Sequence, residues 1–456
     1  MTLAAYLEGL KGKRVTVVGI GVSNRPLIKL LLDAGIDVTA RDKAARENLG
    51  AVADELEAAG CKLVLGEEYL NGIEADVIFR SPGIMPHVPQ LAEAVKNGAV
   101  LSSEMEAFFE VCPCPIVAVT GSDGKTTTTT VISEILKADG RTVHVGGNIG
   151  TPLLDKADSI KPEDICVLEL SSFQLMTIKK SPDMAVVTNV APNHLDIHTD
   201  MAEYIEAKKN IFQNRPHPRV VVLNADNEIT RSFAKDAGEG VRFFSRKDVV
   251  ESGAYLEDGK LYASVNGKVE EIMSAERIFI PGVHNIENYL AAFAVLYGTV
   301  KKESLVQTAE TFKGVPHRIE LVRELRGVKY YNDSIASSPS RTTAGLRSFD
   351  RKVILIAGGK DKGVPFDDLG REICEHVKTL VLTGLTADKI EKAVKDAGGT
   401  MPIIRRDDFK EAVIAASEAA QEGDVVILSP ACTSFDRFKN FEERGNTFKE
   451  IVNGLE

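Results

Sequence analysis

The sequence predicts a three-domain α/β protein built on parallel sheets. Short runs rich in β-branched residues alternate with amphipathic helical stretches through most of the 456 residues, as in layered α/β folds. Glycine-rich turns follow several of these runs, and two prolines interrupt the pattern at residues 112–115. At roughly 100–200 residues per domain, this length accommodates two to four domains with buried cores.

The composition excludes several classes of protein. Hydrophobic residues make up 44% of the chain and charged residues 27%, as in ordinary soluble globular proteins. The net charge of −11 argues against binding to nucleic acid, which requires basic patches. No run approaches the ~20 apolar residues of a membrane helix, and residues 1–10 do not resemble a signal peptide. We therefore expect a cytoplasmic protein that binds neither nucleic acid nor membranes.

The cysteines indicate a reducing compartment. Six are scattered along the chain: Cys61, Cys112, Cys114, Cys166, Cys374 and Cys432. Cys112 and Cys114 have neither the spacing of zinc ligands nor a second pair, so we interpret them as structural.

The first block, residues 1–112, is predicted to form one sheet, with strands at 14–19, 38–40, 62–65 and 77–80 and a helix at 26–34. The turn after the first strand contains Gly21, Ser23 and Asn24. Because Asn24 stands where a dinucleotide fingerprint has its third glycine, the turn supports a nicotinamide cofactor only weakly.

Two later strand ends of this block carry further candidates. Asp42 ends the second strand, where a carboxylate can bond a ribose hydroxyl, and Ser81 and Gly83 follow a later strand. Together these residues suggest a site for a nucleotide-like anion. Simple turns between strands and helices are the alternative.

The second block, residues 113–314, contains the sharpest local signal. A strand at 116–120 leads into a loop and a helix at 126–138, and the loop supplies Gly121, Ser122, Asp123, Gly124, Lys125, Thr126 and Thr127. Its backbone amides can surround phosphate oxygens, Lys125 can reach the β- and γ-phosphates, and Thr126 can bind Mg²⁺. Only two residues separate the glycines, where the general pattern has four. We interpret the loop as a nucleotide site rather than a simple helix cap.

Three further residues of this block are candidates for the same chemistry. Glu169 ends a buried strand beside the loop, where a carboxylate can hold Mg²⁺. His194 follows another strand, although imidazole is not the donor that magnesium prefers. Lys208 lies in a helix predicted at about 200–214, where a lysine is normally solvated.

The remaining pattern predicts a β insertion and a third block. Residues 241–280 contain short segments with a strand-like alternation, separated by turns at 258–259 and 266–267. This pattern indicates short antiparallel strands. The block 315–456 is predicted to have strands at 328–331, 353–357, 380–382 and 425–428. Loops rich in hydroxyl and cationic residues follow these strands, as expected of a ligand crevice in an open sheet.

In this order, the motifs resemble those of the Mur ligase family of ATP-dependent amide-forming enzymes. The resemblance runs from residue 19 to residue 444, and the shortened phosphate loop is the form this family uses. It implies a Rossmann-like UDP-binding domain (1–112), a central P-loop ATPase-type domain with a β insertion (113–314) and a Rossmann-like domain that brings in the amino acid (315–456). Closure of the domains about a hinge at residues 314–318 is expected.

The resemblance also implies an activity. A substrate carboxylate is phosphorylated by ATP, and an amino acid then displaces the phosphate. The stretch 429–441 favours addition of D-glutamate to UDP-N-acetylmuramoyl-L-alanine. Lys125, His194 and Lys208 are then catalytic, and two Mg²⁺ ions are expected on Thr126, Glu169, His194 and a carbamylated Lys208. We expect a monomer with small-molecule substrates.

Further residues match contact positions of the family. ATP contacts are implied for Asn285, Asn288, Arg318 and Asp333. The UDP-substrate positions are Gly21, Ser23, Asn24, Asp42, Ser81, Gly83, Asn148, Ser171 and Gln174. The amino-acid pocket is implied to contain Ser337, Lys362, Ser434 and Phe441, which suit a dicarboxylate.

The chain departs from the family pattern at three places: Ile335 replaces a lysine of some members, Lys43 follows Asp42, and His198 replaces an aromatic residue. The alternatives left open are a ligase for another amino acid, a ligase that adds glutamate to folate, and a non-catalytic protein that binds a UDP-sugar or ATP. A nicotinamide dehydrogenase is disfavoured by Asn24 and by the second phosphate loop.

Overall fold

The computed structural model describes residues 1–195, 197–280, 282–361 and 364–456, and three sheets organise these residues. Two sheets lie in one compact unit, Met1–Phe312, and the third lies in a second unit, Lys313–Glu456. Within these described ranges, no helix combines the length and apolar character that a membrane crossing needs. The predicted domain boundaries at 112–113 and 314–315 stay predictions.

The first sheet is entirely parallel. Its strands are β1 (Val15–Val18), β2 (Val38–Asp42), β3 (Lys62–Leu65), β4 (Val77–Arg80) and β5 (Val100–Ser102), in the order β3-β2-β1-β4-β5. Its helices are α1 (Leu3–Glu8), α2 (Asn24–Asp33), α3 (Arg46–Leu49), α4 (Ala51–Ala58), α5 (Pro89–Lys96) and α6 (Glu104–Val111). This is the Rossmann strand order, and it opens a crevice where the order reverses between β1 and β4.

The second sheet has parallel strands and an antiparallel extension. Its strands are β6 (Ile116–Thr120), β7 (Val143–Gly147), β8 (Ile165–Glu169), β9 (Met184–Val187), β10 (Val220–Asn224), β11 (Val241–Ser245), β12 (Gly253–Glu257), β13 (Lys260–Val265) and β14 (Lys268–Ser274). They run in the order β14-β13-β12-β11-β10-β9-β6-β8-β7, and only the β12–β14 ribbon is antiparallel. The predicted antiparallel insertion is thus confirmed over residues 253–274, whereas residues 241–245, assigned to it from the sequence, form the parallel strand β11. Asp258 and Asn266 adopt positive φ angles in its two turns.

Helices cover both faces of this second sheet: α7 (Lys125–Ala138), α8 (Ser172–Leu175), α9 (Met201–Gln213), α10 (Glu228–Ser232), α11 (Val283–Leu296) and α12 (Lys302–Thr311). The central strand β6 is buried on both sides. Ile116 and Ala118 join one hydrophobic cluster, whereas Val117 and Val119 join another, as expected for a parallel strand between two helical layers. The first of these clusters also contains Val15 of the first sheet, so the two sheets share a core.

The second unit is built on one mixed sheet. Its strands are β15 (Glu320–Leu325), β16 (Val328–Asn332), β17 (Val353–Ala357), β18 (Val377–Leu382), β19 (Ile403–Arg405) and β20 (Val425–Leu428), in the order β15-β16-β20-β17-β18-β19. Its helices are α13 (Pro339–Leu346), α14 (Asp367–His376), α15 (Ala387–Asp396), α16 (Phe409–Glu418) and α17 (Phe441–Asn453). Only the edge strand β15 is antiparallel to its neighbour. The predicted α/β fold class is confirmed.

Candidate active site

The phosphate-binding loop leaves the centre of the second sheet and enters α7. Gly121 has a φ of 153°, and a Cβ there would overlap the Thr188 hydroxyl, so only glycine fits. Gly124 caps α7 in the left-handed conformation. The loop therefore presents its backbone at the positive end of a 14-residue helix, which favours a bound anion.

Residues after β9 fix the shape of this loop. The Ser122 amide donates to Asn189 O at 2.9 Å, and the Asp123 amide donates to Asn189 Oδ1 at 2.9 Å. The Thr188 hydroxyl donates to Asp123 O at 2.6 Å. The Ser122 hydroxyl lies 2.9 Å from the Tyr204 hydroxyl of α9. The loop is thus held by side chains from two other elements before any ligand binds.

Lys125 folds its side chain back over the loop. Its ammonium donates to Gly121 O at 3.0 Å and to Ser122 O at 2.8 Å. The positive charge therefore already lies within the loop, where phosphate oxygens could replace the carbonyls as acceptors.

Lys208 is buried, although an isolated helical lysine would be expected in solvent. Only 1% of the residue is exposed, and its Nζ donates to Gly121 O at 2.7 Å. The amine also lies 4.5 Å from the centre of the Tyr204 ring. Burial, reinforced by the charge of Lys125, lowers the pKa of Lys208 well below its ordinary value. A neutral amine next to the phosphate loop is therefore favoured.

Glu169 ends β8 with one carboxylate oxygen available. The residue is 1% exposed, and Asn148 Nδ2 donates to Oε1 at 2.8 Å. In the described part of the chain, Oε2 is buried without a hydrogen-bond partner. The approach of the Asn148 segment depends on Gly147, because a Cβ there would overlap the Glu169 carbonyl. A buried carboxylate with an unpaired oxygen is a natural ligand for a hard cation.

His194 and His198 flank the ring of Phe173. His194 has a φ of 56° and makes an edge contact with Phe173 at 5.3 Å. The buried His198 stacks on the same ring at 5.0 Å and bridges the Ser172 hydroxyl and the Glu203 carboxylate, at 2.9 and 3.1 Å. His198 therefore holds α8 and α9 together.

These groups fit a magnesium site. Thr126, Glu169 and His194 follow β6, β8 and β9, which are neighbours in the sheet, so all three lie at the same edge. Carboxylate and hydroxyl oxygens are ligands that Mg²⁺ prefers, and Glu169 Oε2 is buried without a hydrogen-bond partner among the described residues. The assignment of these residues as metal ligands stays a prediction.

The two predicted ATP contacts of α11 lie behind the phosphate loop. Asn288 Oδ1 accepts a hydrogen bond from the Thr128 hydroxyl at 3.1 Å, and Asn288 Nδ2 donates to Asn285 Oδ1 at 3.2 Å. A Cβ on Gly124 would lie 2.5 Å from Asn288 Oδ1. Asn288 therefore packs against the loop, whereas a contact of Asn285 with the base stays a prediction.

A cleft of about 190 Å³ lies between the crevice of the first sheet and the loops after β7 and β8. It is lined by Val22, Ser23, Pro82, Glu104, Gly147, Asn148, Gly150, Pro152 and Gln174. Three predicted substrate residues therefore share one cleft: Ser23, Asn148 and Gln174. The side chain of Gln174 is oriented by a capping box with Ser171, another predicted residue.

Other predicted substrate residues shape the walls of the crevice. Both oxygens of Asp42 accept backbone amides, from Ile20 at 2.6 Å and from Ala44 at 2.8 Å. The buried Asn24 donates to Gly19 O at 2.8 Å. Gly21, Ser81 and Gly83 occupy the turns after β1 and β4, with Gly21 and Gly83 exposed. Their substrate contacts stay predictions.

Two charged residues at this cleft were missed by the sequence analysis. Arg80 is fully buried and donates to Ile84 O at 2.8 Å and to Phe173 O, so it ties the end of β4 to α8. Glu104 lines the cleft, and burial raises its pKa to about 7. Arg80 could have been identified from the sequence, because it is a charged residue at the end of a predicted strand. Glu104 could not, because an acidic residue in the first turn of a helix is common and indicates no particular role.

In the second unit, Asp333 lies at the end of β16. The Ser429 hydroxyl donates to Asp333 Oδ2 at 2.7 Å, and the Ile319 amide donates to Oδ1 at 3.3 Å. Burial raises the pKa of Asp333 to about 7, although the charge of Arg318 opposes that shift. The two predicted ATP residues of this unit, Arg318 and Asp333, are therefore neighbours.

The predicted amino-acid pocket is only partly described. Phe441 begins α17, and its carbonyl accepts from the Ser334 hydroxyl at 2.8 Å. Ser434 is buried after β20, and Ser337 is half-buried after β16. The predicted residue Lys362 lies outside the described residues. A further residue missed from the sequence is Arg444, which is 2% exposed and donates to Ser334 O and Cys432 O at 2.8 and 3.1 Å.

The phosphate loop, the carboxylate with its unpaired oxygen and the buried lysine define a P-loop α/β enzyme that uses a nucleotide. Two protein-family models match the chain. Residues 119–296 match the Mur ligase middle domain, and residues 317–432 match the glutamate ligase domain of Mur ligases.

Full-length relatives agree with these matches. The chain is 53% identical to UDP-N-acetylmuramoylalanine–D-glutamate ligase of Ruminiclostridium cellulolyticum, over 99% of both chains. It is 54% identical to the protein of the same name in Acetivibrio thermocellus, over 99% of this chain and 98% of the relative. The fold resembles that of UDP-N-acetylmuramate–alanine ligase from Thermotoga maritima, with a TM-score of 0.57, 18% identity and coverage of 97% and 99%.

The chain therefore belongs to the Mur ligase family, whose members are ATP-dependent ligases. The resemblance found from sequence motifs and the predicted enzyme class are confirmed.

Proposed function

We propose that the protein joins D-glutamate to UDP-N-acetylmuramoyl-L-alanine in the synthesis of peptidoglycan precursors, with conversion of ATP to ADP and phosphate. The observation that carries this proposal is the match of more than 50% identity, over nearly the whole of both chains, with relatives named for that reaction. The described geometry supports the ligase chemistry, because Lys125 and Lys208 contact the phosphate loop and Glu169 ends the strand paired with β6, which leads into it.

The reaction has two balanced steps. An oxygen of the substrate carboxylate attacks the γ-phosphorus of ATP, the bond to the β-γ bridging oxygen breaks, and ADP leaves. The amine of D-glutamate then attacks the acyl carbon, the acyl–phosphate C–O bond breaks, and the amide forms with loss of a proton. Because several anions must meet, the protein contributes mainly positioning and neutralisation of charge.

The phosphate loop supplies that neutralisation on the ATP side. Lys125 would exchange its loop carbonyls for phosphate oxygens. Thr126 and Glu169 would hold one Mg²⁺, and His194 would hold a second together with a carbamylated Lys208. Bound Mg²⁺ would withdraw charge from the phosphate oxygens.

Lys208 is proposed to act as a carbamate. A neutral amine can attack the carbon of CO₂ and lose one proton, and the resulting carbamate is an anionic oxygen ligand. The lowered pKa of Lys208 supports this role, because a protonated amine has no lone pair for the attack.

Different residues are proposed to bind each substrate. The 190 Å³ cleft with Ser23, Asn148 and Gln174 suits part of the UDP-linked substrate, and the turns with Gly21, Asn24, Asp42, Ser81 and Gly83 would take its nucleotide. In the second unit, Arg318 and Asp333 are proposed to contact ATP. Ser337, Lys362, Ser434 and Phe441 are proposed to receive D-glutamate.

The test is ADP release by the purified protein with ATP, Mg²⁺ and UDP-N-acetylmuramoyl-L-alanine. D-glutamate is compared with L-glutamate, D-alanine and L-lysine. We expect release with D-glutamate alone. Release with another amino acid would keep the reaction and replace the substrate, whereas no release with any of them would refute the proposed activity.

We also propose that the enzyme works as a monomer in the cytoplasm. All six cysteines are free thiols, as expected in a reducing compartment. Sedimentation of the purified protein tests the monomer, and fractionation of cells tests the compartment.

A further inference from the structure

Two neighbouring cysteines and a third that is distant in sequence meet near the start of β6, the strand that leads into the phosphate loop. The Sγ atoms of Cys112 and Cys114 are 3.7 Å apart, those of Cys112 and Cys166 are 3.7 Å apart, and those of Cys114 and Cys166 are 3.5 Å apart. Cys166 comes from β8, 52 residues after Cys114. We call this group the thiol cluster. It takes no part in the proposed ligase chemistry.

The backbone fixes the positions of all three thiols. Cys112 caps the C-terminus of α6, where its amide donates to Phe108 O. Pro113 and Pro115 follow Cys112 and Cys114, and a following proline restricts both cysteines to extended conformations. Cys166 is in register with Ile116 of β6, and its amide donates to Pro115 O at 3.0 Å. The three sulfurs therefore require little reorganisation to act together.

The spacing of the sulfurs matches one face of a tetrahedral thiolate site. Zinc binds thiolates at about 2.3 Å, which places the sulfurs of a tetrahedral site about 3.8 Å apart. The observed separations of 3.5–3.7 Å differ from that value by only a few tenths of an ångström. The ligand atoms of all three side chains lie within 4.8 Å of one another. Among the described residues, no other group of three or more histidine, cysteine or acidic side chains is this close.

The donor set selects the class of ion. Thiolates are soft ligands that favour Zn²⁺ and Cu⁺ over Mg²⁺. Cys114 and Cys166 are buried, whereas Cys112 is half-buried and gives an ion a way in. We propose that Cys112, Cys114 and Cys166 bind one thiophilic d¹⁰ metal ion, Zn²⁺ or Cu⁺, through three thiolates. A small exogenous ligand completes the coordination of Zn²⁺, whereas Cu⁺ is satisfied by three sulfurs.

A bound ion would connect the two sheets of the first unit. Cys112 ends the last helix of the first sheet, and Cys166 lies within the second sheet. The residues between them are the connection at 112–115 that leads into β6 and the phosphate loop. Metal binding would thus fix this connection independently of any nucleotide.

The test uses the full-length protein, reduced and freed of metal. It is titrated with Co²⁺ as a spectroscopic probe, and then with Zn²⁺ and Cu⁺ in separate arms that compete with chromophoric chelators. Excess Mg²⁺ is present throughout, so that the site of Glu169 and His194 does not take the ion. A sulfur-to-cobalt charge-transfer band reports thiolate ligation, which carboxylate and imidazole ligands do not produce.

We expect one ion per chain with a charge-transfer band, and at least a 100-fold weaker affinity for Zn²⁺ or Cu⁺ in Cys112→Ser. Cys374→Ser is the matched control, because Cys374 is also half-buried but lies in the second unit. Cys114→Ala is a second variant, and circular dichroism verifies that each variant is folded. Wild-type protein that gives no band overturns the proposal, as does a band of equal strength in folded Cys112→Ser and Cys114→Ala. Preference for one of the two ions in the competition identifies it.

Discussion

Replacing Lys208 by methionine should change how the stability of the first unit depends on pH. Methionine retains the apolar length of the side chain but removes the amine that donates to Gly121 O at 2.7 Å. Because burial lowers the pKa of Lys208, the folded state binds fewer protons than the unfolded chain, whose lysines titrate near pH ~10.4. The free energy of unfolding of the wild type is therefore reduced at low pH. It rises as the pH approaches the pKa of lysine in the unfolded chain.

The size of this effect follows from proton linkage. Between the folded and unfolded pKa values, one group that is neutral in the folded state and charged in the unfolded state changes the free energy of unfolding by about 1.4 kcal/mol per pH unit. From pH 8 to pH 9.5, the wild type should therefore gain stability relative to Lys208→Met, with this slope as the upper limit.

The assay is urea unfolding in buffers free of CO₂, which prevents carbamate formation. Pulsed hydrogen exchange with mass spectrometry follows peptides of residues 1–312 separately from those of 313–456, because the chain has two compact units. Parallel stability curves for the wild type and Lys208→Met would refute the reasoning, since they would show that Lys208 stays charged in the folded protein.

Lys209→Met is the matched control on the same helix. Although partial burial acts in the opposite direction, hydrogen bonds to Asp236 and Glu206 raise the pKa of Lys209. A raised pKa adds stability that is fully present below the unfolded value of ~10.4 and is lost only above it. The difference between the wild type and Lys209→Met should therefore be constant from pH 8 to pH 9.5.

Three further predictions concern the loop, the metal site and the cleft. Lys125→Ala should lower the rate of ADP release by about 10³-fold or more, because it removes charge stabilisation at the transferred phosphate, while Lys137→Ala on the exposed side of α7 should retain wild-type turnover. Glu169→Gln should raise the Mg²⁺ concentration needed for half-maximal ADP release by about 10-fold or more, whereas the exposed Glu163→Gln should not, and equal Mg²⁺ curves would contradict the assignment. Because burial raises the pKa of Glu104 to about 7, the folded state holds a proton that the unfolded chain loses above pH ~4.3. Urea unfolding should therefore show wild-type stability falling by about 2–3 kcal/mol relative to Glu104→Gln between pH 5 and pH 7, and a constant difference would contradict the raised pKa.

Most of the parallel core of each sheet was predictable because its strands are continuous apolar runs. Strands such as β1, β8 and β17 are fully buried, so their composition alone distinguishes them from loops. The buried strand β10 and the antiparallel strand β15 were not predicted. The edge strands β5 and β19 were also missed. Each has only three residues and includes exposed positions, so neither forms a run long enough to show a pattern.

The candidate site was predictable where one strand end carries the chemistry within a few residues. The phosphate loop belongs to this class, since its glycines, Lys125 and Thr126 are contiguous. Its neighbours were found by residue type at strand ends, but their environments could not be predicted. Lys208 reads as a surface lysine, and its burial results from packing against Tyr204 and a carbonyl 87 residues away in sequence.

Contacts between residues that are distant in sequence can change the chemistry of a side chain, and the local sequence does not show these contacts. Cys112 and Cys114 alone form no recognisable metal motif, and their third partner is supplied by the pairing of β6 with β8. Arg80 ends a strand of the first sheet, yet its guanidinium is satisfied in part by the Phe173 carbonyl of α8, 93 residues away in sequence. For the cysteines the donor set is assembled by parallel strands, whose neighbours are separated by crossover connections of a dozen or more residues. Parallel folds therefore place chemistry at strand ends that local motifs identify, while the pKa values and ligand sets at those ends depend on pairings that motifs do not contain.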